Sequence, residues 1–201
     1  GAEVEYLQCD VRDDAGFAAL IGDVTTRYGR IDGVLHGAGV IEDKLVLDKE
    51  VDSFDRVMRT KTESAFTLTR ALNPETLKFA VFFTSVAGRF GNRGQGDYGA
   101  ANETVSKLAR LLNARWPGVI KATSWGPWDS GGMVNDEIKA QFAEMRIEPI
   151  PPELGVQACT FEITHSDDTQ PEVVWGRGPW EDDDELYRTT YATDRSREAA
   201  E

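Results

Sequence analysis

The segment RGQGDYGAANETVSK, residues 93–107, places a tyrosine and an asparagine one helical turn apart, directly after a glycine-rich loop. Tyr98 and Asn102 therefore lie on the same face at the start of a predicted helix. A phenol with a pKa near 10 is a poor proton donor or base at neutral pH, unless a cation about 4–6 Å away lowers that pKa. The pattern indicates proton transfer assisted by a nearby positive charge.

Lys61 is the candidate cation, because it falls within an apolar stripe of the helix predicted over residues 51–72. The rest of that stripe is Phe54, Met58, Ala65, Leu68 and Leu72. A lysine in such a stripe can extend to solvent at its rim, or its ammonium can reach a polar pocket and lower the pKa of a neighbouring acid. Ser85, which ends an apolar strand, can either cap a turn or join Tyr98 at that pocket.

Strands and amphipathic helices alternate along the chain. The predicted strands are residues 4–11, 31–40, 78–85, 119–125 and 172–176, and the predicted helices are residues 14–28, 51–72, 98–116, 133–145 and 152–163. This order predicts an α/β fold, with a Rossmann-like parallel sheet covered by helices on both faces. Ligands bind such sheets beyond the carboxyl ends of the strands, where Ser85 and the HGAG loop of residues 36–39 follow their strands.

Composition excludes several classes of function. The chain has 201 residues and a net charge of −13, which opposes binding to nucleic acid or to an anionic membrane. No apolar run approaches the roughly 20 residues of a membrane span, so a soluble, cytoplasmic protein is expected. Cys9 and Cys159 are isolated, which predicts two buried thiols and no metal site. We expect one main domain over residues 1–178 and an acidic linker or tail over residues 179–201.

Three segments resemble a known family. GVLHGAGV (33–40), FFTSVAGRFGNRGQGDYGAAN (82–102) and SWGPWDSGGM (124–133) are similar, in this order, to the ketoreductase domains of type I polyketide synthases and polyunsaturated fatty acid synthases. These domains form part of the short-chain dehydrogenase/reductase superfamily. Most of the superfamily carries YxxxK, whereas these ketoreductases carry YxxxN and a lysine on the preceding long helix. Tyr98, Asn102 and Lys61 match that variant, and Lys107 is interpreted as a surface residue.

The resemblance implies a reaction and assigns it four residues. Tyr98 would donate a proton to the carbonyl oxygen of a 3-oxoacyl thioester on an acyl carrier protein, while NADPH delivers hydride to the carbon. Ser85 would hydrogen-bond the same oxygen, so that donors converge where negative charge develops. Lys61 would lower the pKa of Tyr98 and contact the nicotinamide ribose, and Asn102 would hold a water that relays the proton.

The resemblance also assigns binding residues. Asp10 and Val11 would contact the adenine side of the cofactor, the Gly37–Ala38–Gly39 loop its ribose, and Pro127 with Trp128 its nicotinamide amide. The residues assigned to the substrate and to stereocontrol are Asp43, Gln95 and Met133, with a lid helix beginning at Met133. The IED motif at 41–43 is similar to the LDD motif of ketoreductases that make D-3-hydroxyl products, and Phe90 replaces the tryptophan of the opposite class.

Compared with that family, the chain begins at the third strand, so a glycine-rich phosphate loop is expected from a further segment, the missing N-terminal part of the Rossmann fold. The other expected partners are the neighbouring synthase domains. The alternative from another class is a degenerate reductase fold that only scaffolds those domains. A sugar-nucleotide epimerase or dehydratase of the same superfamily is disfavoured by YxxxN.

Overall fold

The computed structural model describes residues 1–129, 142–165 and 169–180. The helices are α1 (Asp14–Tyr28), α2 (Val51–Ala71), α3 (Val86–Phe90), α4 (Gly96–Asn113) and α5 (Pro152–Thr164), with a 3-10 turn at Val46–Asp48. The strands are β1 (Gly33–His36), β2 (Phe79–Ser85), β3 (Val119–Trp125) and β4 (Glu172–Trp175). None of the helices in these ranges has the length and apolar character needed to span a membrane.

The four described strands form one parallel sheet in the order β1-β2-β3-β4. Ser85 is opposite Trp125, and Trp125 is opposite Trp175, so these strands end together at one edge of the sheet. The parallel α/β fold predicted from the alternation of elements is therefore confirmed.

The larger part of the core lies between the sheet and the layer of α1, α2 and α4. Its central residues on the strands are Ala80, Phe82, Ile120 and Ala122, and on the helices Ala65, Leu68, Val105, Ala109 and Leu112. A smaller cluster on the other face joins Trp125, Ile150 and Ala158 of α5, with Phe83 packed against it. Phe82 and Phe83 therefore face opposite layers, as expected for successive residues of a strand buried on both sides.

The predicted strand over residues 4–11 is wrong. This segment pairs with no described strand, and Val4 and Tyr6 are 89% and 85% exposed. A strand exists only where its backbone pairs with a neighbour, and β1 pairs among the described strands with β2 alone. Cys9 lies in this unpaired segment and, like Cys159, is only half-buried, so the prediction of two buried thiols is wrong as well.

The stripe predicted for α2 is wrong at its beginning. Phe54 is 45% exposed, and the buried face runs instead through Val57, Lys61, Ser64 and Leu68. Serine and threonine residues occupy much of this buried face. A search for periodic apolar residues misses them, so it misplaced the face at the beginning of the helix. Lys61 is nevertheless inside the face, as predicted, and is only 5% exposed.

Two helical glycines give a matched test of the packing between α3 and α4. A Cβ on Gly99 would lie 2.8 Å from the carbonyl oxygen of Ala87, whereas a Cβ on Gly22 would contact nothing within 4 Å. We expect Gly99→Ala to lower the free energy of unfolding by about 1–3 kcal/mol through overpacking. Gly22→Ala should raise it by about 0.5–1 kcal/mol, because alanine loses less backbone entropy in a helix. Urea unfolding of both variants measures the difference, and equal effects would contradict the close approach.

Candidate active site

A cavity of about 860 Å³ opens at the carboxyl ends of the strands. It brings together three of the four predicted catalytic residues, Lys61 from α2, Ser85 from the end of β2 and Tyr98 from the first turn of α4. The predicted binding residues that also line it are Gly37, Gly39, Gln95, Pro127 and Trp128. The sheet geometry explains the convergence, because parallel strands deliver their following loops to one edge.

Lys61 is held in the cavity wall by the backbone of β2. Its Nζ donates a hydrogen bond of 2.8 Å to the carbonyl oxygen of Phe83. Burial lowers the pKa of Lys61 to about 8, because the low-dielectric surroundings penalise the charged form. A Cβ on Gly39 would lie only 3.2 Å from the Cε of Lys61, so the glycine leaves room for the lysine to enter the cavity.

Tyr98 and Ser85 line the cavity together, and the Ser85 hydroxyl acts to lower the pKa of the Tyr98 phenol. The Ser85 hydroxyl also accepts a bond of 3.2 Å from the Ala87 N–H and so caps α3, which means that both roles considered for this serine are present. Burial raises the pKa of Tyr98, although the polar side chains of Ser85 and Asn102 act to lower it.

The expectation that Lys61 lowers the pKa of Tyr98 is not met in this structure. Burial is the largest influence on that pKa, and its net direction is upward. The reason is geometric, since the Lys61 ammonium is directed to the Phe83 carbonyl oxygen.

Asn102 lies one turn after Tyr98 and is 1% exposed. Its Nδ2 donates a hydrogen bond of 2.7 Å to the Tyr98 carbonyl oxygen. Its Oδ1 is buried and has no partner among the described residues. The side chain therefore presents an acceptor in the interior, which suits the water-holding role assigned to it by resemblance.

The two described residues assigned to stereocontrol contact each other at the rim of the cavity. Gln95 Nε2 donates a hydrogen bond of 2.9 Å to Asp43 Oδ2, and Asn92 Nδ2 donates one of 3.0 Å to Gln95 Oε1. Asp43 does not line the cavity, but its charge acts to raise the pKa of Tyr98. Met133, the third residue of this set, lies outside the described residues.

Three predicted cofactor residues do not line this cavity, namely Asp10, Val11 and Ala38. Asp10 is exposed and forms an ion pair of 2.8 Å with Arg12. Hydrogen bonds from the Arg12 side chain and backbone lower the pKa of Asp10 to about 2. The adenine-side role of Asp10 and Val11 stays a prediction.

Of the aromatic wall of the cavity, the resemblance assigned Trp128 alone, and the other rings were not predicted. Phe90 and Trp180 stack with ring centroids 6.4 Å apart, and Trp125 meets Trp128 edge to face at 5.1 Å. Trp180 is 7% exposed, so it does not belong to a loose linker or tail as predicted for residues 179–201, while residues 181–201 lie outside the described part. The sequence did contain a signal for this burial, namely a tryptophan just before an acidic run, because so large an apolar ring favours burial.

Lys107 lies on the surface, as predicted from the YxxxN pattern. Its Nζ lies 2.7 Å from Glu172 and 2.9 Å from Glu103, and its side chain is 45% exposed. Within the described ranges, no group of three or more His, Cys, Asp or Glu side chains is arranged to hold a metal ion.

Comparison with known proteins points to one family. The family model described as the KR domain matches residues 1–130. A polyunsaturated fatty acid synthase subunit of Thraustochytrium sp. is 37% identical over 183 residues, covering 90% of this chain and 6% of its own length. The polyketide synthase PksN of Bacillus subtilis is 32% identical over 183 residues, covering 88% of this chain and 3% of its own.

Solved structures agree with these sequence matches. A ketoreductase domain from the bacillaene assembly line superposes with a TM-score of 0.77 at 30% identity, over 89% of this chain and 44% of its own. An N-terminal ketoreductase from the macrolactin assembly line gives a TM-score of 0.79 at 25% identity, over 92% of this chain and 36% of its own. The chain thus spans less than half the length of either structure.

The buried ammonium of Lys61 predicts a specific pH dependence of stability. Its folded pKa of about 8 lies below the value near 10.4 of an unfolded lysine, so the unfolded state binds more protons between these values. The free energy of unfolding should therefore rise with pH across this window by up to about 3 kcal/mol relative to Lys61→Met. Urea unfolding at several pH values between 7 and 10.5 checks this.

Lys107→Met is the control for that measurement. Burial acts to lower the pKa of Lys107, but its bonds to Glu172 and Glu103 outweigh this and raise it. Relative to the Lys107→Met variant, the wild type should therefore lose stability as the pH rises through the lysine range. If the stability difference between wild type and variant changed with pH in the same way for both variants, a buried, weakly compensated ammonium at position 61 would be contradicted.

Proposed function

The chain belongs to the KR domain family, the ketoreductase domains of polyketide and polyunsaturated fatty acid synthases, and we propose that it reduces a 3-oxoacyl thioester with NADPH. The product is the 3-hydroxyacyl thioester. The observation that carries the proposal is the convergence of Lys61, Ser85 and Tyr98 on one cavity beyond the strand ends.

The cavity suits a nicotinamide cofactor. Gly37 and Gly39 present backbone without side chains at its wall, and Gly37 has nothing within 4 Å of where a Cβ would lie. Lys61 Nζ is available beside this loop to donate to ribose hydroxyls, and Pro127 with Trp128 forms an apolar wall for the nicotinamide end. When bound, the cofactor supplies the hydride for the substrate carbonyl carbon.

Tyr98 supplies the proton in this proposal. The phenol carries its proton at neutral pH, because burial raises its pKa, and it gives this proton to the carbonyl oxygen as hydride addition makes that oxygen strongly basic. The Ser85 hydroxyl, which lines the cavity together with Tyr98, donates to the same oxygen as negative charge develops there. Asn102 Oδ1 holds a water from which Tyr98 recovers a proton.

The substrate is proposed to arrive on an acyl carrier protein of the same synthase, since the relatives are synthase subunits of which this chain matches a few per cent. A further segment with the phosphate-binding loop is proposed to pair with the outer edge of β1. Support comes from the sheet order, in which β1 pairs among the described strands with β2 alone. A purely scaffolding domain has no need for a buried lysine at a cavity wall.

Replacement of the proposed proton donor tests the function. In the intact polypeptide that carries this chain, Tyr98→Phe should lower kcat for a 3-oxobutyryl thioester by about 100-fold or more, because it removes general-acid catalysis. NADPH consumption measures the rate, and circular dichroism confirms retention of the fold. Tyr6→Phe, at a tyrosine that does not line the cavity, is the matched control and should leave the rate unchanged. Equal rates for the two variants would reject Tyr98 as the donor.

The stereochemical outcome is a separate prediction. Because Asp43 and Gln95 are hydrogen-bonded beside Tyr98, we propose that they orient the acyl chain so that the D-3-hydroxyl product forms. Chiral chromatography of the product from the intact protein provides the measurement. A product that is mainly the L-3-hydroxyl form would contradict this assignment without affecting the proposed reduction.

A further inference from the structure

A buried ion pair lies directly beside the proposed proton donor. Lys49 Nζ is 2.5 Å from Asp97 Oδ2, and the two side chains are 6% and 3% exposed. Asp97 immediately precedes Tyr98, and its Oδ1 accepts a hydrogen bond of 2.9 Å from the Tyr98 N–H. The ammonium of Lys49 is thus two contacts away from the backbone of Tyr98.

The same lysine holds the beginning of its own loop. Lys49 Nζ donates to the backbone carbonyl oxygen of Glu42. The Glu42 carboxylate is in turn held by the Ser53 hydroxyl and by Arg56, whose Nε and Nη2 donate bonds of 2.9 and 2.8 Å. Residues 42–49, called here the clamp loop, are therefore closed on themselves by Lys49 and tied to α2 through Glu42.

The clamp loop also contacts the other side of the cavity rim. The Lys44 N–H donates a bond of 3.0 Å to the Gly94 carbonyl oxygen, and Asp43 accepts the bond from Gln95. Asp43 therefore lies in a loop whose position relative to Tyr98 is set by polar contacts at both ends.

Apolar packing does little to hold this loop. Its three apolar residues, Leu45, Val46 and Leu47, are 43%, 78% and 97% exposed. With so little buried apolar area, the buried ion pair is the main interior contact of the loop. Such pairs give little net stability over apolar replacements, because desolvation of both charges costs several kcal/mol per ion. A better-attested role of buried ion pairs is to fix how two segments are positioned against each other. Here the two segments are the clamp loop and the first turn of α4.

We propose that Lys49 is a positioning residue, which sets the Asp43–Gln95 pair relative to Tyr98 and so governs which face of the 3-oxo group is reduced. This inference rests on the proposed ketoreduction. Lys49 contacts neither substrate nor cofactor in this role and acts through Asp97 and the Glu42 carbonyl oxygen.

The test uses the intact polypeptide, NADPH and a 3-oxobutyryl thioester. Lys49→Met leaves Asp97 buried without its cation, so the double variant Lys49→Met/Asp97→Asn is made alongside it. The double variant removes both charges and keeps an oxygen for the Tyr98 N–H. We expect both variants to raise the fraction of the minor product stereoisomer about tenfold and to lower kcat more than they raise KM, because misplacement at the reacting centre penalises the transition state.

Lys44→Met is the matched control, since Lys44 is an exposed lysine of the same loop that contacts Gly94 through its backbone. It should leave the stereoisomer ratio and kcat unchanged. An unchanged ratio in the folded double variant would overturn the proposal, because loss of stability alone does not alter the ratio of products.

Hydrogen exchange separates this inference from the proposed function. In the double variant, the amides of the clamp loop should exchange faster than in Lys44→Met, whether or not the protein turns over. If the parent protein reduces no 3-oxo thioester, the proposed function fails and the stereochemical role of Lys49 fails with it. Unaltered exchange in the double variant would refute the clamp in either case.

Discussion

The burial of one ammonium group constrains most of the site. Lys61 comes from the buried face of α2, and its Nζ must find an acceptor in the interior because an unpaired buried charge is costly. The Phe83 carbonyl oxygen provides it, which requires α2 and the end of β2 to lie at a set distance. A Cβ on Gly39 would lie 3.2 Å from Lys61 Cε, so a side chain there would press on the lysine stem.

Two lysines with buried side chains, Lys49 and Lys61, have different partners at this edge of the sheet. Lys49 is paired with the carboxylate of Asp97, so its charge is used within the protein. Lys61 has a neutral carbonyl as its partner, and its pKa of about 8 records that its charge is only partly compensated. A group in that state gains from a polar ligand, whereas an ammonium already paired with a carboxylate gains less. Lys49 is therefore suited to positioning its loop, and Lys61 is suited to binding a ligand in the cavity.

The contacts of Asn102 explain why an asparagine can occupy this position of the YxxxN pattern. On α4, Tyr98 and Asn102 are both turned inward, and Asn102 donates to the Tyr98 carbonyl oxygen while keeping one buried acceptor. The next lysine along the helix, Lys107, is on the surface with Glu103 and Glu172. The lysine that lines the cavity therefore comes from α2, as the YxxxN pattern predicts by resemblance.

Local patterns in the sequence determined the alternation of strands and helices, the parallel sheet, and the placing of Lys61, Ser85 and Tyr98 near its carboxyl edge. These follow from periodicity, which is a property of a short stretch of chain. Tertiary structure decided that residues 4–11 have no strand partner, that Trp180 is buried and that Lys49 meets Asp97. It also decided the direction of the Tyr98 pKa. These properties depend on burial and on contacts between residues distant in the chain, including backbone oxygens, and no local pattern of side chains encodes them.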